Sequence, residues 1–167
     1  MTHSATRQPH HNDAGGPALD ISIQVVAAAD SLPADKLLRH WAAAAYTETR
    51  HADAEITLRI VDEPEMCSLN EQYRHVSKPT NVLAFRFEDP PGVSTDILGD
   101  VIICAPVVER EARDLCVEPP AHWAHLVVHG VLHLCGFDHE RETEARRMEA
   151  LEAKVLGDFG FTNPYER

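Results

Sequence analysis

The run Gly99-Asp100-Val101-Ile102-Ile103-Cys104 changes character at Val101 and from there offers no polar side chain on either face. Successive residues of a strand point to opposite sides, so four apolar residues in a row describe a strand covered on both faces. The covering material follows directly. Apolar spacing predicts helices over about 106–115, 119–134 and 141–156, the last with Ala145, Met148, Leu151 and Val155 as one stripe. Upstream the pattern alternates instead. Ile21, Ile23 and Val25 are separated by polar residues, Ile56, Leu58 and Ile60 oppose Glu55, Thr57 and Arg59, and Leu83, Phe85 and Phe87 oppose Ala84 and Arg86. Between these strands, Ser31 and Pro33 open a helix carried by Leu37, Leu38, Trp41, Ala45 and Tyr46, and a shorter helix spans about 64–74. Pro90, Pro91 and Gly92 enforce a loop.

The order β-α-β-α-β-β-α-α-α reads as an α+β (mixed α/β) single domain in which a small four-stranded sheet is packed by about five helices. Residues 19–157 carry this domain. Residues 1–18 mix His, Asn, Gly and Pro with almost nothing apolar and read as a disordered N-terminal tail holding His3, His10 and His11. Residues 158–167 read as a short C-terminal tail.

The 167 residues are 25% charged and 44% hydrophobic, which suits one packed domain and excludes disorder throughout. Lys and Arg number 15 against 27 Asp and Glu, a net charge of −12. A generic nucleic-acid coat is thereby excluded, because phosphate binding without sequence preference needs a positive surface field. A local basic site is still open. No acid occurs between Glu71 and Glu88, where Arg74, Lys78 and Arg86 fall. No apolar run approaches the roughly 18 residues of a bilayer span, and the first residues lack the hydrophobic centre of a signal peptide. The expected address is cytoplasmic, with no membrane partner. Cys67, Cys104, Cys116 and Cys135 include no C-x-x-C pair and read as reduced, small, mostly buried side chains.

Histidine is over-represented, at 11 residues, and its placement is informative. In His129-Gly130-Val131-Leu132-His133-Leu134-Cys135-Gly136-Phe137-Asp138-His139, the first two histidines are four apart on a predicted helix and share one face. Gly136 can take the left-handed conformation that ends a helix, and the reversal brings His139 back toward the same point. Three neutral imidazoles with a fourth position open are the pattern of catalytic zinc, so one Zn²⁺ per chain is expected on His129, His133 and His139, with nickel, copper and manganese as the alternatives. His125 lies one turn earlier on the stripe. A helix cannot aim three successive turns at one ion, since the outer two are about 11 Å apart. His125 is therefore read as a residue supporting the ligands or facing the substrate, the alternative being that it replaces His139. His122 is read as a surface residue near the helix start. Asp138 is either a proton acceptor or orienting group beside the third ligand, or a cap for the residues after it.

The spacing resembles the H-E-x-x-H-x-x-G-x-x-H signature of metzincin zinc proteases, but Gly130 stands where those enzymes place their general base. Peptide hydrolysis becomes the weaker reading, and Gly130 is expected to leave open space beside the metal. Arg74 is the favoured phosphate partner in the basic stretch, with Lys78 and Arg86 as further phosphate contacts or solvated residues.

Four segments together resemble the YbeY family of bacterial zinc-dependent endoribonucleases. They are Ser68 to Arg74, Lys78-Pro79-Thr80-Asn81-Val82-Leu83-Ala84-Phe85, Leu98-Gly99-Asp100-Val101, and His125 to His139. The likeness covers about residues 55–157. It implies metal ligation by His129, His133 and His139 and a required arginine at Arg74. It also implies cleavage of single-stranded RNA in 16S rRNA 3′-end maturation and ribosome quality control. The partners it implies are the ribosome, a small-subunit ribosomal protein and the assembly GTPase Era. The chain departs from the family at Ser77, commonly Asp, and at Ala84, commonly Ser. The competing readings are a zinc peptidase or amidase, and a non-catalytic assembly factor whose metal holds the fold.

Overall fold

A computed structural model of the chain describes residues 6–10, 18–50 and 52–166. In chain order the elements are β1 (Thr6–His10), β2 (Leu19–Val25), α1 (Asp35–Thr47), β3 (Ala54–Val61), α2 (Glu63–Arg74), β4 (Val82–Arg86), β5 (Ile97–Cys104), α3 (Ala105–Asp114), α4 (Pro119–Leu134) and α5 (Glu142–Asp158). The sheet order is β1-β2-β3-β5-β4. Strands β2, β3 and β5 run parallel, while β4 and β1 are antiparallel to their neighbours.

The expected four strands are β2, β3, β5 and β4, and β1 adds an edge strand outside β2. Residues 6–10, assigned to a tail from the sequence, are therefore paired in the sheet. Their composition gave no sign of this, because an edge strand borrows its hydrogen bonds from a neighbour and needs little apolar content of its own. The rest of the tail reading, with His3 and His11, lies outside the described residues.

Strand β5 sits between β3 and β4, with a different cluster on each face. Val101 and Ile103 join the large core with residues of α1, α4 and α5, whereas Ile102 and Cys104 meet Met66, Leu83 and Val107 on the other side. Gly99, at the start of this strand, is forced by proximity: a Cβ there would lie 2.0 Å from the Phe85 carbonyl oxygen. Helix starts follow local chemistry. The Asp62 carboxylate accepts the Glu65 N–H at 3.0 Å and caps α2, and prolines occupy the first turns of α2, α3 and α4, where a missing N–H costs nothing.

Helix α4 is the element that matters for function. It packs on α1, α3, α5 and two strands, and Trp123, Ala124, Val127, Val128, Val131 and Leu132 are buried. What it leaves half-buried is a line at four-residue spacing, His125, His129 and His133. Gly130 lies on the opposite side, against the sheet. A Cβ there would approach Val101 Cγ1 to 2.5 Å. The open space expected beside the metal is thus absent at this position, and the glycine serves the contact between α4 and β5. His122, expected at the surface, is also buried, with its Nε2 donating to Glu111 Oε2 at 2.7 Å. All four cysteines are free thiols, with Cys104 and Cys135 buried, Cys67 half-buried and Cys116 exposed.

Beyond α5 the chain turns back. Phe161 meets Trp41 edge-on at 6.0 Å and packs on the main core, and Tyr165 reaches the α4–α5 interface. Within the stretch expected as a C-terminal tail, Phe161 and Tyr165 are thus tied to the domain. No helix among the described residues is long and apolar enough to cross a membrane.

Candidate metal centre

The end of α4 is built by backbone chemistry that also sets the site. Gly136 takes φ +98°, its N–H donates to His133 O at 3.0 Å, and the Phe137 N–H donates to Leu132 O at 3.1 Å. These two bonds are the Schellman arrangement, which satisfies the last carbonyls of a helix and reverses the chain. Half-buried Phe137 packs onto the core and anchors the turn. His139 is thereby returned to the side of α4 that carries His129 and His133.

The three imidazoles converge. Candidate ligand nitrogens of His129, His133 and His139 all lie within 4.8 Å of one another, and the Nε2 atoms of His129 and His133 are 3.0 Å apart. Two nitrogens bound tetrahedrally at about 2.0 to 2.1 Å from one zinc ion would be about 3.3 Å apart, so these side chains suit a single small cation. Burial, together with the nearby positive charges that His129 and His139 would carry, pushes the His133 pKa down to about 4. The ring is therefore neutral at physiological pH, the form in which imidazole ligates.

Behind His129 is a residue that sequence reasoning passed over. Glu152 of α5 is 0% exposed, and its Oε1 accepts from His129 Nδ1 at 2.6 Å. Its Oε2 accepts from His125 Nε2 at 3.0 Å and from the Tyr165 hydroxyl. Burial alone would raise the pKa of this carboxyl, but the hydrogen bonds from His125, His129 and Tyr165 outweigh it and hold the value down to about 2. The signal was present in the sequence. Glu152 falls four residues after Met148 and three before Val155, both buried, so it is an acid within an apolar stripe. Tyr165 left no such trace.

His133 and His139 open into a cavity of about 480 Å³, also lined by Arg74, Ala84, Arg86, Gly136, Phe137, Asp138 and Glu140. Arg74 comes from the last turn of α2 and Arg86 from the end of edge strand β4. Among the described residues neither forms an ion pair, although the chain carries 27 acids. An unpaired guanidinium facing a cavity is available to an anion.

The remaining candidates are placed as follows. Asp138 Oδ1 accepts the backbone N–H groups of His139 at 2.6 Å and Glu140 at 3.3 Å, so it orders the turn that carries His139. Lys78 is exposed on the loop after α2 and is absent from the cavity lining, while its carbonyl accepts from Asn70 Nδ2 at 2.7 Å. His125 turns toward Glu152 and Tyr165. Ala84 is part of the cavity wall, and Ser77 is exposed.

Known proteins resemble this chain along most of its length. The family model described as Endoribonuclease YbeY matches residues 23–160. A protein named Endoribonuclease YbeY from Alkalilimnicola ehrlichii is 50% identical over 158 residues, covering 92% of this chain and 94% of the relative. Another of the same name, from Psychromonas ingrahamii, is 48% identical over 139 residues, covering 81% of this chain and 88% of that one. Among solved structures, the solution structure of TM1509 from Thermotoga maritima is 27% identical with a TM-score of 0.55, covering 88% of this chain and 95% of that protein.

Proposed function

Because the chain belongs to the YbeY endoribonuclease family, we propose that it hydrolyses single-stranded RNA at a zinc centre held by His129, His133 and His139. The observation that carries this reading is the convergence of three imidazoles on the edge of a cavity that presents two unpaired arginines. A metal ion held there supplies Lewis acidity, which activates water and offsets charge on the phosphate.

The chain's own residues divide the remaining work. Arg74 and Arg86 bind the phosphate from the α2 and β4 sides, and their charge is best used where the equatorial oxygens become more negative during transfer. Asp138 keeps the His139 turn in place. No side chain at position 130 can act as a base, since that position faces Val101. This removes the feature that would favour a peptidase.

The biological setting we infer is cytoplasmic maturation of the 16S rRNA 3′ end and ribosome quality control. The ribosome, a small-subunit ribosomal protein and the GTPase Era are the partners. The net charge of −12 supports a substrate met in a local cavity and docked with the help of a protein partner. The test pairs metal analysis with cleavage of a short single-stranded RNA by wild type and Arg74→Glu. The expected result is equal zinc content with cleavage lost in the variant. Equal cutting by both would remove Arg74 from the mechanism.

A further inference from the structure

We propose that Glu152 is the positioning residue of the metal centre, holding His129 in the ligating tautomer, and that Tyr165 of the C-terminal segment completes this support. The proposal rests on the metal reading above and extends it to residues outside the histidine motif.

A carboxylate can only accept, so at 2.6 Å the proton between Glu152 Oε1 and His129 Nδ1 is carried by the imidazole. The lone pair of His129 is then confined to Nε2, the atom that faces His133 Nε2 at 3.0 Å. Without Glu152 the ring could carry its proton on either nitrogen and rotate about its side-chain bonds. Each alternative removes a lone pair from the point where the three histidines converge. Metal-bound imidazoles regularly donate their second N–H to a carboxylate, which fixes ring orientation and raises ligand basicity.

The carboxylate itself must be held. Glu152 is buried within the α4–α5 interface, where an unpartnered charge would be costly. His125 Nε2 and the Tyr165 hydroxyl both donate to Oε2, and the Tyr165 ring stands edge-on to the His125 ring at 5.6 Å. Tyr165 arrives from outside the helices, so docking of the segment after α5 is coupled through Glu152 to the orientation of His129 on α4.

His125, His129 and Glu152 are also close enough together to hold a cation of their own. Filling both sites at once would require the His129 imidazole to bridge two ions and give up both ring protons. The 2.6 Å contact already has the length of a charge-assisted hydrogen bond, which favours the supporting role.

The experiment titrates Co²⁺ and Zn²⁺ into metal-free full-length wild type, Glu152→Gln and Tyr165→Phe. It follows the cobalt visible bands and stoichiometry, with far-UV circular dichroism as the control on folding. Glu152→Gln is expected to bind cobalt roughly 10- to 100-fold more weakly with an altered visible spectrum, while wild type takes up one ion per chain. Tyr165→Phe keeps the ring and loses the donor, and since Tyr165 is 44% exposed the variant folds. It should weaken binding in the same direction by a smaller factor. If Glu152→Gln does not fold, Tyr165→Phe decides the question alone. Wild-type affinity and spectrum in the folded variants would overturn the proposal, and so would two ions per wild-type chain. Failure of the wild type to bind either metal would instead overturn the zinc reading itself.

Discussion

His129 Nε2 and His133 Nε2 face each other at 3.0 Å across one turn of α4. Glu152 takes the other ring position of His129. The pair is carried by a helix whose remaining faces are packed into the core, which fixes the two residues one turn apart on the same side.

It follows that His133→Ala should abolish metal binding and RNA cleavage without unfolding the chain. The half-buried ring contributes little to the core that Trp123, Val127 and Val131 build on the other faces of α4. Urea unfolding of metal-free wild type and of the variant should give midpoints that coincide. A large loss of stability in the metal-free variant would show instead that the His133 ring itself supports the core.

Arg86 has no ion pair among the described residues and shares the cavity with Arg74. Arg86→Ala is expected to lower kcat/KM for a short single-stranded RNA by about tenfold, and to reduce the slope of log affinity against log salt by about one unit, the effect of losing one phosphate contact. Zinc content should not change. An unchanged salt slope would exclude Arg86 from the RNA path.

At Gly130 the 2.5 Å approach to Val101 Cγ1 predicts that Gly130→Ala destabilises the protein by about 1–3 kcal/mol through overpacking. Adding Val101→Ala should recover part of that loss, read as a coupling energy in a double-mutant cycle of unfolding free energies. Additive effects would mean that the two residues do not share the strain. Gly130→Glu, which restores the protease-like signature, should yield misfolded protein and no peptide cleavage.

Glu111 lies away from the metal and gives a pH prediction. Burial raises its pKa, but hydrogen bonds from His122 and Asn81 outweigh this, so the carboxyl titrates below its ordinary 4.5 in the folded chain. A carboxyl whose folded pKa is depressed stabilises the fold fully above its unfolded pKa, and that contribution is lost as pH falls through the folded value. Wild type should therefore exceed Glu111→Gln in urea midpoint at pH 7, and the gap should close as the pH falls past the ordinary carboxyl value and through the depressed folded one. A gap independent of pH would show that shape, not charge, matters at this position.

The elements most legible in the sequence are those whose pattern is local. The apolar run Val101 to Cys104 marked a strand with two covered faces, and the interval from His129 to His133 placed two imidazoles on one face of a helix. Gly136 marked the reversal because positive φ is a backbone property that a single residue type satisfies at little cost. Gly130 was misread for the same reason turned around. A missing side chain looks like open space until the neighbour that fills it is known, and Val101 lies 29 positions earlier in the sequence.

By itself the sequence determined the helix, the ligand spacing, the chain reversal and the basic stretch, since each depends on backbone periodicity or on residues within one or two turns. Only the tertiary structure decided that Glu152 stands behind His129, that Tyr165 closes over it, and that Arg74 and Arg86 meet at one cavity from two separate elements. Those contacts join α4 to α5, to the C-terminal segment and to the edge of the sheet. Their partners are chosen by how helices and strands pack, and packing is a property of the assembled core that no short stretch of chain encodes on its own.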